Sequence, residues 1–252
     1  MKLELVRGRF VRRYKRFFAD VKLDNGRLIT AHLPNTGSMK TLLNEGVEAW
    51  VKHHDNPKRK LSWTLTLLGL PGRGRALVDT TLPNRVVEEG VVRGRIAELA
   101  GYQSYRREVP YGHRSRIDLL LEDPRNHGSG PCYVEVKNNT MASSCVRQRS
   151  DFPDSPTERG RRHLAELTEL ALSGVRAVQF YLVSRTDCRA AGIAEEIDPK
   201  YGEAVREAYQ AGVEFLAYRV ELRRDRVTVG KRCPFRFLPC RKSEKHDHQC
   251  QP

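Results

Sequence analysis

Two strand-like segments carry the residues best suited to chemistry: Ser115-Arg116-Ile117-Asp118-Leu119-Leu120-Leu121 and Cys132-Tyr133-Val134-Glu135-Val136-Lys137, joined by a polar connection containing Gly and Pro. Alternate side chains of a strand share a face, so Glu135 and Lys137 point one way and Val134 and Val136 the other. Asp118 interrupts an apolar run. An ionised carboxylate among buried leucines is costly unless it meets a cation or a metal. Paired as a hairpin, the two segments bring Asp118 and Glu135 to one face with Lys137 beside them. Two hard oxygen donors make half of a magnesium site, which water and phosphate oxygens complete. The same residue types also make a salt-bridge set on an exposed sheet face.

The elements that must position these residues belong to a chain of 252 residues, enough for one large or two small domains with real cores. A net charge of +14 points to an anionic partner such as nucleic acid. The charge is unevenly placed. Residues 1–80 carry 16 Lys and Arg against 7 Asp and Glu, residues 81–230 carry 23 against 22, and residues 231–252 carry 6 against 2. The attraction for a polyanion and the carboxylate pair therefore lie in different parts of the chain. No charged segment followed by an apolar one opens the sequence, and no run approaches the ~18–20 apolar residues of a membrane helix, so a cytoplasmic protein with no membrane partner is expected. The six cysteines lack compact spacing in the body, which predicts reduced thiols.

Residues 1–80 read as short strands at about 3–11, 17–23, 28–33, 46–54, 62–69 and 75–79, with Asp24-Asn25-Gly26 as a hairpin turn. Such a series suggests a small closed barrel of the OB type. In it, Arg12, Arg13, Lys15 and Arg16 interleave with Tyr14, Phe17 and Phe18, and Lys58-Arg59-Lys60 lies in a loop. Cations neutralise phosphates while aromatic faces stack on bases, the pattern of sequence-tolerant binding; the aromatics can equally serve a core. The loop Pro34-Asn35-Thr36-Gly37-Ser38-Met39 offers small polar residues before an expected short helix capped by Ser38, a geometry suited to a phosphate at Asn35, Thr36 and Ser38.

The second domain is expected to run to residue 230. Helical spacing covers 82–100, strands follow at 104–110, 114–122 and 131–138, then a helix at 157–173, a strand at 176–184, a helix at 199–211 and a strand at 213–221. This order predicts a mixed sheet flanked by helices. On the 157–173 helix Arg159, His163 and Glu166 flank the apolar stripe of Leu164, Leu167 and Ala171, so Arg159 and His163 are candidates for holding a phosphate or water.

Taken in order, Tyr14-Lys15-Arg16-Phe17, Pro34 to Met39, Asn84-Arg85, Ser115 to Asp118, Glu135-Val136-Lys137 and Phe152-Pro153-Asp154…Thr157-Glu158-Arg159-Gly160…His163-Leu164 resemble the sugar fermentation stimulation protein family, SfsA, through most of residues 1–230. Asp118 followed by Glu135-x-Lys137 within that element order resembles the PD-(D/E)XK nuclease superfamily. The resemblance implies an OB-like N-terminal domain (1–80) joined to a nuclease-like α/β domain (81–230), in a family described as DNA-binding and linked to sugar-use regulation. It carries the metal ligands to Asp118 and Glu135, the catalytic lysine to Lys137 and a helix-borne acid to Glu89, with Glu88 adjacent. Residues 231–252, with Cys233, Cys240, His246, His248 and Cys250, lack a Cys-x2-Cys knuckle and read as a disordered basic tail.

These readings converge on a DNA-binding protein of little sequence specificity with a Mg²⁺ (or Mn²⁺) phosphodiesterase centre. The alternative is a non-catalytic DNA-binding regulator of sugar (maltose-type) metabolism; an RNA-binding OB protein is a third. No helix-turn-helix, base preference or oligomeric state is legible.

Overall fold

A computed structural model describes residues 1–112, 115–123, 130–223 and 225–237. The N-terminal strands are β1 (Val6–Tyr14), β2 (Phe18–Leu23), β3 (Leu28–His32), β4 (Glu48–His53), β5 (Trp63–Leu70) and β6 (Gly74–Leu77). β1 pairs with both β2 and β4, β2 with β3 and β4 with β5, all antiparallel; β3 meets β5 in parallel at His32 and Thr64. That last pairing closes a five-stranded OB barrel, and β6 extends it from β5. The Asp24-Asn25-Gly26 turn needs a left-handed residue, which Gly26 supplies at φ +86. Phe10, Val21, Leu33, Val51, Leu65 and Leu68 fill the barrel.

The second domain comprises α1 (Pro83–Val92), β7 (Ser104–Tyr111), β8 (Ser115–Glu122), β9 (Cys132–Asn139), β10 (Met141–Ala142), β11 (Arg149–Phe152), α2 (Glu158–Leu172), β12 (Arg176–Val183), β13 (Ala190–Ile193), α3 (Pro199–Gln210), β14 (Glu214–Leu222), β15 (Val227–Arg232) and β16 (Phe235–Arg236). Its main sheet has the order β15-β14-β12-β9-β8-β7, parallel through β9, β12 and β14 and antiparallel at both edges. Central β12 is buried from Ala177 to Val183, as its apolar run, broken only by Gln179, requires with both faces covered. α1 covers one face through Val86 and Val87 against Leu119, Val134, Val178 and Phe180. α2 and α3 cover the other, with Leu164, Leu167, Tyr201 and Val205 against Ile117, Leu120 and Tyr181. The α1 core also takes in Leu3, Trp50, Leu67 and Leu77 from the N-terminal part, so the barrel and the sheet are welded through shared apolar burial. Among the described residues no helix is long and apolar enough to cross a membrane.

Several expectations are corrected. The helix expected over 82–100 stops at Val92, because Arg93 leaves helical geometry and Gly94 turns left-handed at φ +63; Ile96 and Leu99 still reach the core from a short 3-10 turn. No helix follows Ser38, where turns replace it. The small sheet β10-β11-β13-β16 has no counterpart in the expected strands, since its members run two to four residues, too short to show alternation. β15 and β16 lie partly in the stretch read as tail, which is ordered strand to Arg236 with Cys233 buried; Cys240, His246, His248 and Cys250 lie outside the described residues. Cys132, Cys188 and Cys233 are free and buried.

β11 of the small sheet carries a buried ion pair. Arg149 Nε and Nη2 donate to the two oxygens of Asp151 at 2.6 and 2.8 Å, with side-chain exposures of 5% and 0%. Asp151→Ala strands the guanidinium in the interior and is expected to lower stability by about 3–5 kcal/mol in urea titrations followed by circular dichroism. The Arg149→Met/Asp151→Leu pair, which removes both charges, should recover most of that loss. Equal losses in both variants would show that the pair is not the source.

Candidate active site

β8 and β9 pair through Leu121 with Cys132, Leu120 with Tyr133 and Leu119 with Val134, and there the ladder ends. A buried main-chain N–H must still find an acceptor. The Val136 amide finds it in Asp118, donating to Oδ2 at 2.7 Å, so a side chain takes over where the partner strand leaves off. The second oxygen, Oδ1, accepts from Asn84 Nδ2 at 2.6 Å. Asn84 sits in the first turn of α1, after Pro83, which suits the first helical position.

Glu135 is only 2% exposed. Its Oε1 accepts from Lys137 Nζ at 2.6 Å and from His163 Nδ1. His163 Nε2 accepts in turn from Arg159 Nε at 3.3 Å, an arrangement that places the ring proton on Nδ1. Thr157 caps the helix that delivers both residues, accepting from the Gly160 amide at 3.0 Å. On the next strand Gln179 stands opposite Glu135 and donates to its main-chain carbonyl at 3.0 Å. Glu135 Oε2 is buried and has no partner.

Environment drives the two carboxyls apart. Burial, and then the charge of Glu135, push Asp118 from its ordinary 3.8 up to about 7, against the pull of the Val136 amide and Lys137. Burial also acts to raise Glu135, but Lys137 and His163 outweigh it and hold the carboxyl below its ordinary value. Two nearby carboxylates, one held charged and one reluctant to charge, invite a further cation. The oxygen donors and the unpartnered Oε2 fit a hard divalent ion. Among the described residues no cluster of three or more His, Cys, Asp or Glu stands ready to hold a metal.

Glu89 is not brought to this pair. It is engaged by the Met1 amine and by Arg93 Nε at 2.8 Å, and five residues along a helix turn it roughly 140° from Asn84. Glu88 faces Arg107 at 3.4 Å. The α1 residue that touches Asp118 is the neutral Asn84, quoted in the sequence motif without a role. Glu166 and Tyr111 were also missed as site residues. Both are buried, and burial, then the charges of Glu135 and Glu166 and the nearness of the Glu166 carboxyl, push the Tyr111 hydroxyl far up. The one legible signal was the i, i+3 spacing of His163 and Glu166.

The barrel cations divide into two groups. Arg13 donates to the carbonyls of Asn35 at 2.8 Å and Gly37 at 3.0 Å, and Arg16 to that of Thr36 at 3.1 Å, so these two arginines shape the 34–39 loop. Asn35 Oδ1 accepts from the Gly37 amide at 2.9 Å, and Ser38 caps no helix, which removes the expected phosphate-binding helix start. Arg12 pairs with Asp20 at 2.8 Å and lies over the Tyr14 ring at 5.2 Å. Arg59 reaches Thr64 Oγ1 at 3.1 Å; Lys58 and Lys60 are exposed, as is Lys15 in the β1–β2 turn. Phe17 is 40% exposed, while Phe18 stacks on Tyr14 at 5.4 Å.

A family model described as the SfsA N-terminal OB domain matches residues 11–76, and one described as the sugar fermentation stimulation protein RE domain matches residues 81–226. The chain belongs to the SfsA family. The sugar fermentation stimulation protein homologue of Geobacter sulfurreducens is 46% identical over 230 residues, covering 91% of this chain and 95% of the relative. That of Pseudomonas aeruginosa PAO1 is 46% identical over 234 residues, covering 92% and 97%. The solved structure of Pyrococcus furiosus SfsA in complex with Ca²⁺ has the same fold at a TM-score of 0.81 and 27% identity, over 94% of this chain and 99% of that one.

For this SfsA protein the Asp118 carboxyl supplies a pH test. Its raised value means that the folded, metal-free state binds more protons than the unfolded one between about pH 4 and 7, so its contribution turns against stability as pH rises through that window. In chelator, Asp118→Asn should raise Tm by several degrees at pH 8, at roughly 2–4 °C per kcal/mol, and leave it nearly unchanged at pH 4. A variant no more stable than the parent at pH 8 would show that the charge is already compensated.

Proposed function

We propose that this chain is a DNA-binding phosphodiesterase, largely indifferent to sequence, that uses Mg²⁺ or Mn²⁺. The observation that carries the reading is that Asp118 lies within electrostatic reach of Glu135, the latter keeping one buried oxygen free while Lys137 bridges to the other. Asp118 and Glu135 would hold the ion; when bound, it supplies a Lewis acid that polarises a phosphate and lowers the pKa of water. The chain's own residues then have separate tasks. Lys137, fixed at Glu135 by its 2.6 Å contact, is the cation placed to orient a water or stabilise charge on the phosphate. His163 and Arg159 act in series behind Glu135, so their first task is to hold that carboxylate rather than to grip phosphate. Asn84 and the Val136 amide fix the rotamer of Asp118.

The barrel supports the DNA assignment with Lys15, Lys58 and Lys60 exposed, Arg12 largely so, and Phe17 available to stack on a base. The Pyrococcus furiosus relative in complex with Ca²⁺ supports a divalent ion in this family.

Cleavage of labelled single- and double-stranded DNA in Mg²⁺, Mn²⁺ or EDTA tests the reading. Cutting is expected with either metal, none in EDTA, and a loss of at least about a hundredfold in Asp118→Asn/Glu135→Gln with DNA affinity retained. DNA binding without cutting in any metal would overturn the phosphodiesterase and leave a binding regulator. RNA competing better than DNA at matched salt would overturn the choice of DNA.

A further inference from the structure

Two motifs that the carboxylate site does not use, Pro34 to Met39 and Phe152-Pro153-Asp154, come together in the fold. They form opposite walls of a cavity of about 240 Å³ between the barrel and the sheet domain, whose lining includes Asn35, Thr36, Thr80, Asn138, Phe152 and Asp154. The walls are pinned to each other. Met39 N donates to Asp154 Oδ2 at 3.3 Å, and Thr80 Oγ1 donates to the Pro34 carbonyl. Gly37 lets Asp154 come this close: a Cβ there would lie 2.2 Å from Asp154 Oδ2 and would push the carboxylate aside.

The lining decides what such a cavity can take. Its lining contains no Lys or Arg and includes Asp154, so a phosphate there would meet a carboxylate and no lining cation. The other acid in the lining, Asp151, is already spent on Arg149. What remains is a set of neutral amides and hydroxyls, the Asp154 carboxylate, whose Oδ2 accepts from Met39 N, and the Phe152 ring, which packs edge-on against Tyr181 and Tyr201. Asn138 Oδ1 is buried without a hydrogen-bond partner, an acceptor in want of a donor. Amide and carboxylate acceptors around an aromatic face match the edge of a nucleobase, whose amino and imino N–H groups are donors. The volume falls just below that of pockets for drug-sized ligands, as a single base requires.

Its place beside the carboxylates adds direction. Asn138 lies three residues beyond Glu135 on β9, roughly 10 Å at ~3.3 Å per residue. Thr157, which caps the helix carrying Arg159 and His163, lines the same cavity. We infer that this interdomain cavity receives one unpaired nucleobase of a DNA strand, splayed from its neighbours and held at Asn138, Asp154 and Phe152. The inference deepens the DNA reading above and rests on it. Acceptors at Asn138 and Asp154 favour cytosine, with its exocyclic amino group, over thymine.

The test measures binding alone, in EDTA, so that cleavage plays no part. The full chain is titrated with a twelve-residue single strand that is abasic throughout and with the same strand carrying one central cytosine. The cytosine strand is expected to bind about tenfold more tightly, the scale of one base held by stacking and hydrogen bonds. A central thymine should gain less. Asn138→Leu, and separately Thr36→Val on the opposite wall, should bring the ratio of the two affinities towards one. Phe17→Ala should weaken both strands and preserve the ratio. Equal binding of the abasic and cytosine strands overturns the base pocket while leaving DNA binding intact. A ratio lost in Phe17→Ala but kept in both wall variants, each confirmed folded by circular dichroism, assigns the base to the barrel and overturns it too. Failure of every strand to bind overturns the DNA reading itself.

Discussion

The structure of the C-terminal domain turns on the point where β8 and β9 part after Leu119 and Val134. Separation of two strands inside a protein leaves a main-chain donor without its ladder partner, and a buried donor left unmatched costs on the order of 1–3 kcal/mol. Asp118 resolves this by accepting from Val136, and in doing so it brings its charge beside Glu135. Two carboxylates in one apolar setting cannot both ionise freely. Lys137 and His163 settle the conflict in favour of Glu135, and Asp118 absorbs the penalty. The asymmetry of the pair is thus a consequence of strand geometry. Arg159, Asn84 and Gln179 then follow as the groups that keep each partner in place.

A second constraint couples the two domains. Trp50, Leu67 and Leu77 are buried in the same apolar cluster as Val134 and Phe180, so separating the barrel from the sheet would expose core. Polar contacts refine that union: Arg185 Nη1 donates to Thr41 Oγ1 at 3.0 Å and to the Thr140 carbonyl at 2.9 Å, while Ala142 N donates to the same Thr41 oxygen at 3.2 Å. The cost of a charged guanidinium in the interior is offset by Asp187, bound at 2.9 and 2.8 Å.

Much of the fold was legible because its signals are local. The barrel strands and the main sheet alternate or run apolar as their burial demands, and Thr157 and Gly174 punctuate α2 close to where a cap and a left-handed stop are needed. The small sheet escaped notice because a four-residue strand such as Arg-Ser-Asp-Phe, half of it an ion pair, has no hydrophobic period to display. The 34–39 loop misled for a different reason. Its composition suits a phosphate loop, but Arg13 from the end of β1 and Arg16 from the β1–β2 turn fill its carbonyls and Asp154 closes on its glycine.

By itself the sequence determined which residues could form a reactive centre: an aspartate among leucines and a Glu-x-Lys on an alternating strand are unusual enough, in their cost of burial, to identify themselves. Alternation alone also determined that Glu135 and Lys137 share a face. Only the tertiary structure decided how these groups are charged and supported. Asn84 reaches Asp118 across 34 positions of sequence, His163 reaches Glu135 across 28 and Gln179 across 44, while Glu89 turns away to other partners. Contacts across such separations are set by helix rotation and by the spacing of packed layers, and neither is written in the neighbourhood of the residues they join.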